Sequence, residues 1–387
     1  MRVPALVPRL QPFTSTIFAE MTALAVRHGA VNLGQGFPDT DGPASMLEAA
    51  KEAISSGVNQ YPPGPGMPVL RNAIAEHRTR YGTNYDPDTE VLVTVGATEA
   101  IAAALLALVQ SGDEVVLIEP YYDSYAASVA LAGATRVTVD LVDDGSGRLG
   151  LDVDALRKAV TPKTRAILVN SPHNPTGTVF TPAELGEIAA LCVERDLIAI
   201  TDEVYEHLVF DGRPHVPLAT LPGMRERTLT ISGAGKTFNC TGWKIGWACG
   251  PAELVAATRA AKQFMTFVGG APFQPAVAHA LANELDWVTG LRDSLADKRQ
   301  RLAQGLTEAG FEVRDSEGTY FICADVRPLG YTDGLELCRQ LPEKIGVAAV
   351  PVQVFADRPE QWQHLIRFAF CKQDAVIDEA VRRLHNL

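Results

Sequence analysis

The chain has 387 residues, 47% hydrophobic and 21% charged, with a formal charge of -12. That length allows one large domain and a smaller one, in the proportions of an ordinary globular enzyme. The acid excess speaks against a nucleic-acid or anionic-membrane partner, because both demand a basic face. Six cysteines, Cys192, Cys240, Cys249, Cys323, Cys338 and Cys371, are scattered and form no CxxC pair. Neither a metal site nor a disulfide framework is therefore expected, and a reduced, cytoplasmic setting is. The opening "MRVPALVPRL" has prolines where a signal peptide needs an unbroken apolar stretch, and no run reaches membrane-spanning length.

From about residue 90 short β-branched runs alternate with helical ones. "EVLVTV" precedes "TEAIAAALLALV", "DEVVLIE" precedes "YDSYAASVALAG", and "TRAILVNS" precedes "TPAELGEIAALCVERD"; "LIAITDE" and "RTLTIS" follow. This alternation predicts an α/β fold, a mostly parallel central sheet sandwiched by helices. Thr181-Pro182-Ala183-Glu184 predicts a helix start, a capping box with proline at the first helical position. Near residue 285 the texture changes to a long amphipathic helix, two β-rich runs ("GTYFICADV" and "HLIRFAF") and a closing helix. The expected division is a large domain over 45–284 and a smaller α+β domain from 1–44 and 285–387.

Ligands of a parallel sheet bind beyond the carboxyl ends of its strands. Past "VLVTV" come Gly96, Ala97 and Thr98, a turn opening a helix whose free N–H groups suit a phosphate. Past "AILVN" comes Asn174, held between prolines. Past "LIAIT" come Asp202 and Tyr205, and a buried acid there is costly unless a cation meets it. Past "TLTIS" come Lys236 and, further on, Lys244. Gly235-Lys236-Thr237 is not a nucleotide P-loop, because Thr230 stands where that motif needs glycine. Each residue singly fits an ordinary structural role. Together they match a ligand with a phosphate, a cationic ring nitrogen, a ring oxygen and an aldehyde. Pyridoxal 5'-phosphate carries all four.

"NSPHNPTG", "TDEVYEHL", "GAGKTFNCTGWKIGW" and "HLIRFAF", with "NLGQGFPD", "NQYPPG" and "EPYYDSY", resemble the class I/II aminotransferases of fold type I. Within that family the chain is similar to the N-succinyldiaminopimelate aminotransferases and to the kynurenine/glutamine/methionine transaminases. The resemblance implies that Lys236 bonds covalently to the cofactor aldehyde and later moves the substrate proton. It implies that Asp202 keeps the ring nitrogen protonated. Asn174 and Tyr205 would hold the ring oxygen, and Tyr122 would stack on the ring. Arg367 would clamp the substrate α-carboxylate with its planar fork. Gly36 would let that carboxylate approach a backbone N–H, and Phe18 would line the substrate side. Tyr61 would reach the phosphate of a second subunit, so a homodimer with shared active sites is implied.

Two departures bear on detail. Where the family often has a phosphate-binding serine, this chain has Gly233, so either Ser232 substitutes or the phosphate loses one bond. Gly269 and Gly270, in place of bulky ring side chains, would open room for a long donor such as N-succinyl-L,L-diaminopimelate, with 2-oxoglutarate as acceptor. Lys262 is a candidate partner for that donor's far carboxylate, though it reads first as a surface lysine. Two rivals share the lysine and aspartate or the fold: a cysteine-conjugate β-lyase, and a cofactor-binding regulatory protein without turnover.

Overall fold

The computed structural model describes residues 5–13 and 16–387. Fourteen strands fall in chain order among the described residues: β1 Val31–Asn32, β2 Val91–Val95, β3 Glu114–Glu119, β4 Thr135–Asp143, β5 Leu149–Leu151, β6 Thr164–Asn170, β7 Ile198–Asp202, β8 Thr228–Gly233, β9 Ile245–Cys249, β10 Glu312–Val313, β11 Phe321–Asp325, β12 Val347–Ala348, β13 Val350–Pro351 and β14 Leu365–Ala369. Eight of them make one sheet in the order β2-β9-β8-β7-β6-β3-β4-β5. The neighbours from β8 through β4 run parallel, whereas β9 is antiparallel to both its partners and β5 to β4.

The parallel strands read as unbroken apolar runs because both faces of the sheet are covered. In β3, Val115 and Leu117 join the core beneath helix Gly96–Leu108, while Val116 and Ile118 join the core beneath helix Pro182–Glu194. That second helix begins as the sequence predicts. Thr181 Oγ1 accepts from the Glu184 N–H at 3.2 Å, and a Glu184 carboxylate oxygen accepts from the Thr181 N–H at 2.7 Å.

A second sheet, β10-β11-β14-β13, is antiparallel throughout. Its apolar face packs with helix Ile17–His28, helix Leu285–Glu308 and the closing helix Asp374–Leu384 in one core. Tyr205, Leu208 and Phe210, which follow β7, are part of that core. The chain just past β7 is therefore anchored where the two sheets approach one another, and a cavity opens there.

Candidate active site

The cavity holds about 340 Å³ and is ringed by the carboxyl ends of β6, β7 and β8, the start of helix Gly96–Leu108, the 35–37 segment, and β14. Asp202 is the last residue of β7 and only 5% exposed. The Tyr125 hydroxyl donates to its Oδ2 at 2.6 Å, and the Val204 N–H lies 3.3 Å from Oδ1. Burial outweighs those bonds and pushes the carboxyl up to about 6. Asn170 braces the same corner: its Nδ2 donates to the Asp202 carbonyl at 2.8 Å, and its Oδ1 accepts from the Asn174 N–H at 2.7 Å.

Lys236 rises from a single helical turn, Ala234–Thr237, directly after β8. Its Nζ donates to the Tyr320 hydroxyl at 2.7 Å and to the Gly36 carbonyl at 3.1 Å. The side chain is half-buried because it walls the cavity, yet the amine is closely surrounded by protein. Burial lowers it to about 8; Arg367 and Lys244 push the same way, against Cys371 and Asp202. The Cys371 thiol is itself held up at about 11 by burial, so near neutrality it is uncharged and its counter-pull on Lys236 is absent. An amine in this range is about one-tenth unprotonated at pH 7, far more than an ordinary lysine, and that form is what a nucleophile requires.

Arg367, on β14, is 1% exposed and makes no ion pair among the described residues. Asn174 Oδ1 accepts from Nη1 at 2.9 Å and the Gly34 carbonyl from Nη2 at 3.1 Å, while Nε has no partner. The Phe321 ring lies 4.0 Å from the guanidinium carbon. A buried guanidinium lacking an acid is expensive. An anionic ligand entering the cavity supplies what is missing.

At the opposite wall Gly96 has φ +75°, and a Cβ there would meet the Lys244 Cε and Nζ at 3.1 Å. Lys244 is itself left-handed at φ 55°, so its backbone turns the amine onto the helix start. Gly246 completes the cradle, since a Cβ on it would lie 2.4 Å from the Gly96 carbonyl carbon. Helix N–H groups, Thr98 and an ammonium thus converge on a space suited to a phosphate.

The cavity brings together Gly36, Phe18, Gly96, Ala97, Thr98, Tyr122, Asn174, Asp202, Tyr205, Lys236, Lys244 and Arg367. Tyr205 is buried, and its phenol is pushed above its ordinary value, so it stays a proton donor. Three expectations are corrected. Ser232 does not face the cavity: side chains alternate along β8, and its Oγ donates to Glu206 Oε1 at 2.6 Å beneath the sheet. Gly269 and Gly270 do not line the cavity either; added Cβ atoms would strike Val95 and Ile245, so these glycines serve packing. Lys262 is buried, with Nζ donating to the Phe267 carbonyl at 2.5 Å. Tyr61 is not among these: directed by the resemblance to a second subunit, it is 82% exposed and lies outside its own chain's cavity, edge-on to Phe267 at 5.6 Å.

Sequence reasoning missed Tyr125, Asn170, Thr241 and Tyr320. Tyr125 stands inside "EPYYDSY", and an aromatic hydroxyl three residues beyond Tyr122, one helical turn away, was the available signal. Beneath the sheet, Glu203, Glu206, His77, His207 and His215 gather in a buried cluster. Arg78 supplies its cation, 3.1 Å from Glu203 and 2.9 Å from Glu206. That guanidinium holds the Glu206 carboxyl well below its usual range despite burial.

The profile of the family "Aminotransferase class I and II" matches residues 29–384. A protein of Mycobacterium tuberculosis (strain ATCC 25618 / H37Rv) named "Probable N-succinyldiaminopimelate aminotransferase DapC" is 64% identical over 390 residues, 98% of each chain. The solved structure of N-succinyldiaminopimelate aminotransferase from Mycobacterium tuberculosis superposes with a TM-score of 0.97 at 65% identity, covering 98% of this chain and 99% of that one. The methionine aminotransferase of Escherichia coli (strain K12) is 38% identical, over 98% of this chain and 97% of its own. The chain belongs to the class I and II aminotransferases.

Proposed function

We propose that the chain binds pyridoxal 5'-phosphate through Lys236 and transfers the amino group of N-succinyl-L,L-diaminopimelate to 2-oxoglutarate. The observation that carries the reaction class is one cavity holding a lysine lowered to about 8, a buried aspartate and a buried arginine without an acid. The 64% identity to the mycobacterial protein across the chain carries the choice of donor over the methionine and kynurenine alternatives.

The residues present fit the cofactor. The cradle of Gly96, Ala97, Thr98 and Lys244 suits its phosphate, and Thr241, also on the cavity wall, stands in for Ser232. Asp202 at the cavity floor suits the ring nitrogen. Asn174 spends its Oδ1 on Arg367 and so offers its amide nitrogen, with the Tyr205 hydroxyl, to the ring oxygen. Tyr122 offers a face for stacking. When bound, the cofactor supplies an aldehyde carbon and a cationic ring able to accept the electron pair left by a departing Cα proton.

The chain's own residues do the rest. Arg367 receives the substrate α-carboxylate on Nη and Nε donors and so fixes which Cα bond faces Lys236. Lys236, once free, takes the Cα proton at Nζ and would give it up to the carbon that the cofactor's aldehyde supplies, acting as base and then as acid. Tyr125 and the Val204 N–H keep Asp202 aimed into the cavity. Tyr61 and Phe267, in edge-on contact, and the exposed Phe264 of the same segment as Phe267 belong to the face that meets a second copy, with Tyr61 completing the partner's phosphate site. The division into 45–284 and 1–44 with 285–387 is part of this reading, supported by the core around the second sheet, which draws mostly on the smaller unit and takes in Tyr205, Leu208 and Phe210 of the larger.

A donor panel scored by glutamate release tests the substrate. Succinylated diaminopimelate is expected to lead kynurenine, methionine and glutamine by tenfold or more in kcat/KM, about 1.4 kcal/mol. A lead by methionine or kynurenine overturns the donor assignment. Pyruvate and ammonia from a cysteine conjugate, without glutamate, overturn the transfer reaction itself.

A further inference from the structure

Tyr320 lies on no element that the expected reaction claims. It directly precedes β11, is 1% exposed, and packs edge-on against Tyr205 at 5.2 Å and Phe321 at 4.8 Å. A phenylalanine would satisfy that packing. The hydroxyl needs another reason, because a buried O–H without partners is costly. It has two partners, both at the reacting centre: it donates to the Gly36 carbonyl at 2.6 Å and accepts from Lys236 Nζ at 2.7 Å. Lys236 also reaches the Gly36 carbonyl, so amine, phenol and carbonyl close a triangle.

We propose that Tyr320 is a positioning residue for the transfer reaction: its hydroxyl is the dock for the Lys236 amine whenever that amine is free, fixing where it waits and how readily it holds a proton. This rests on the assignment of Lys236 as the cofactor-bonding lysine. A lysine released by incoming substrate has four rotatable bonds and would otherwise wander. The Tyr320 oxygen, with its own proton committed to Gly36, offers a lone pair to one amine N–H. The amine thereby keeps its direction. Charged groups facing it enter its proton balance, Asp202 at the end of β7, Arg367 on β14 and Lys244 before β9, and around them stand the uncharged Cys371 thiol just past β14 and the neutral phenols Tyr205 and Tyr320. With the Gly36 carbonyl, the Tyr320 oxygen is an acceptor in direct contact, the nearer of the two, and an acceptor on the ammonium favours the charged form. Tyr320 thus offsets part of the burial that lowers Lys236.

The test uses Tyr320→Phe and, at the same position, 3-fluorotyrosine, which keeps ring and packing but makes the oxygen a weaker acceptor. In cofactor-free protein, trace acetylation of Lys236 followed across pH by mass spectrometry gives the amine's midpoint. It is expected to fall by about one pH unit in Tyr320→Phe and by less in the fluorotyrosine protein. In the loaded enzyme kcat is expected to drop about tenfold or more, with KM within about twofold, since the loss is in proton transfer. An unmoved midpoint in both proteins, with kcat unchanged, overturns the proposal. Borohydride reduction of unsubstituted holoenzyme separates it from its premise. Cofactor trapped on Lys236 keeps the lysine assignment standing whatever Tyr320 does; no trapping at Lys236 removes both.

Discussion

Asp202 connects a single carboxyl to the stability of the whole fold. Burial raises it from 3.8 to about 6 in the cofactor-free protein. Between about pH 4 and 6 the folded chain therefore holds a proton that the unfolded chain has released. Its stability falls as pH rises through that window, by on the order of 3 kcal/mol in all. A cationic ring nitrogen facing the ionised carboxylate reverses that loss. The rise in Tm on adding cofactor should be largest above pH 6 and shrink as pH falls towards 4, and Asp202→Asn should flatten the trend. Scanning calorimetry of both proteins with and without cofactor checks it; a pH-independent rise would deny Asp202 its partner. Arg367→Ala should lower kcat/KM about 100-fold, about 3 kcal/mol, for donor and acceptor alike, because both carry an α-carboxylate. A loss on one side only would contradict the clamp. Lys236, Asp202 and Arg367 could be singled out from the sequence as a set, because charges past or within several apolar strands make a pattern that the ordinary role of each does not explain, and one cavity brings them together. Tyr320 and Asn170 could not be, because a tyrosine or asparagine at a strand end looks like core or turn until its hydrogen-bond partners are known.

At the level of elements, the cavity depends on how closely β9 lets helix Gly96–Leu108 approach. Gly246 sits in β9 opposite Thr94 of β2 and Gly233 of β8. A methyl group on it would lie 2.4 Å from the Gly96 carbonyl carbon and 2.6 Å from the Ala97 nitrogen, so the helix start must move. Gly246→Ala should fold but bind cofactor at least tenfold more weakly, about 1.4 kcal/mol, by equilibrium titration of the cofactor-free protein. Unchanged affinity would show that the helix start does not hold the phosphate. Beneath the same strands, Arg78 answers two buried carboxylates, and Arg78→Leu should destabilise by about 3–5 kcal/mol in urea unfolding. The parallel strands and the capped helix at Thr181 could be read from periodicity. β9 could not: "IGWAC" is short and carries a glycine, features that weaken a strand signal. Its antiparallel placement comes from pairing with β8 across a short connection and with β2, which lies far away in sequence. The inward role of Ser232 was misread for a related reason, since one step along a strand exchanges the faces of the sheet.

At the scale of the whole molecule, an apolar face is left over. Tyr61 is 82% exposed, Phe264 86% and Phe267 48%, with Met265 beside them, a concentration unusual on the surface of a monomer. Tyr61 and Phe267 touch edge-on, so the two segments form one patch rather than scattered residues. Lys262 stiffens it from below by binding the Phe267 carbonyl. Were this face the seam of a dimer, placing a charge in it would separate the subunits without touching the cavity of either. Phe264→Asp should therefore sediment as a monomer at concentrations where the unaltered protein sediments as a dimer. The separated subunit should keep Lys236, Asp202 and Arg367 in place but lack the partner's Tyr61. Weakened cofactor retention and a large loss of turnover are expected, with Tyr61→Phe reproducing part of the cofactor loss while remaining dimeric. A Phe264→Asp protein that sediments as a monomer with full activity would show that each cavity is complete within its own chain.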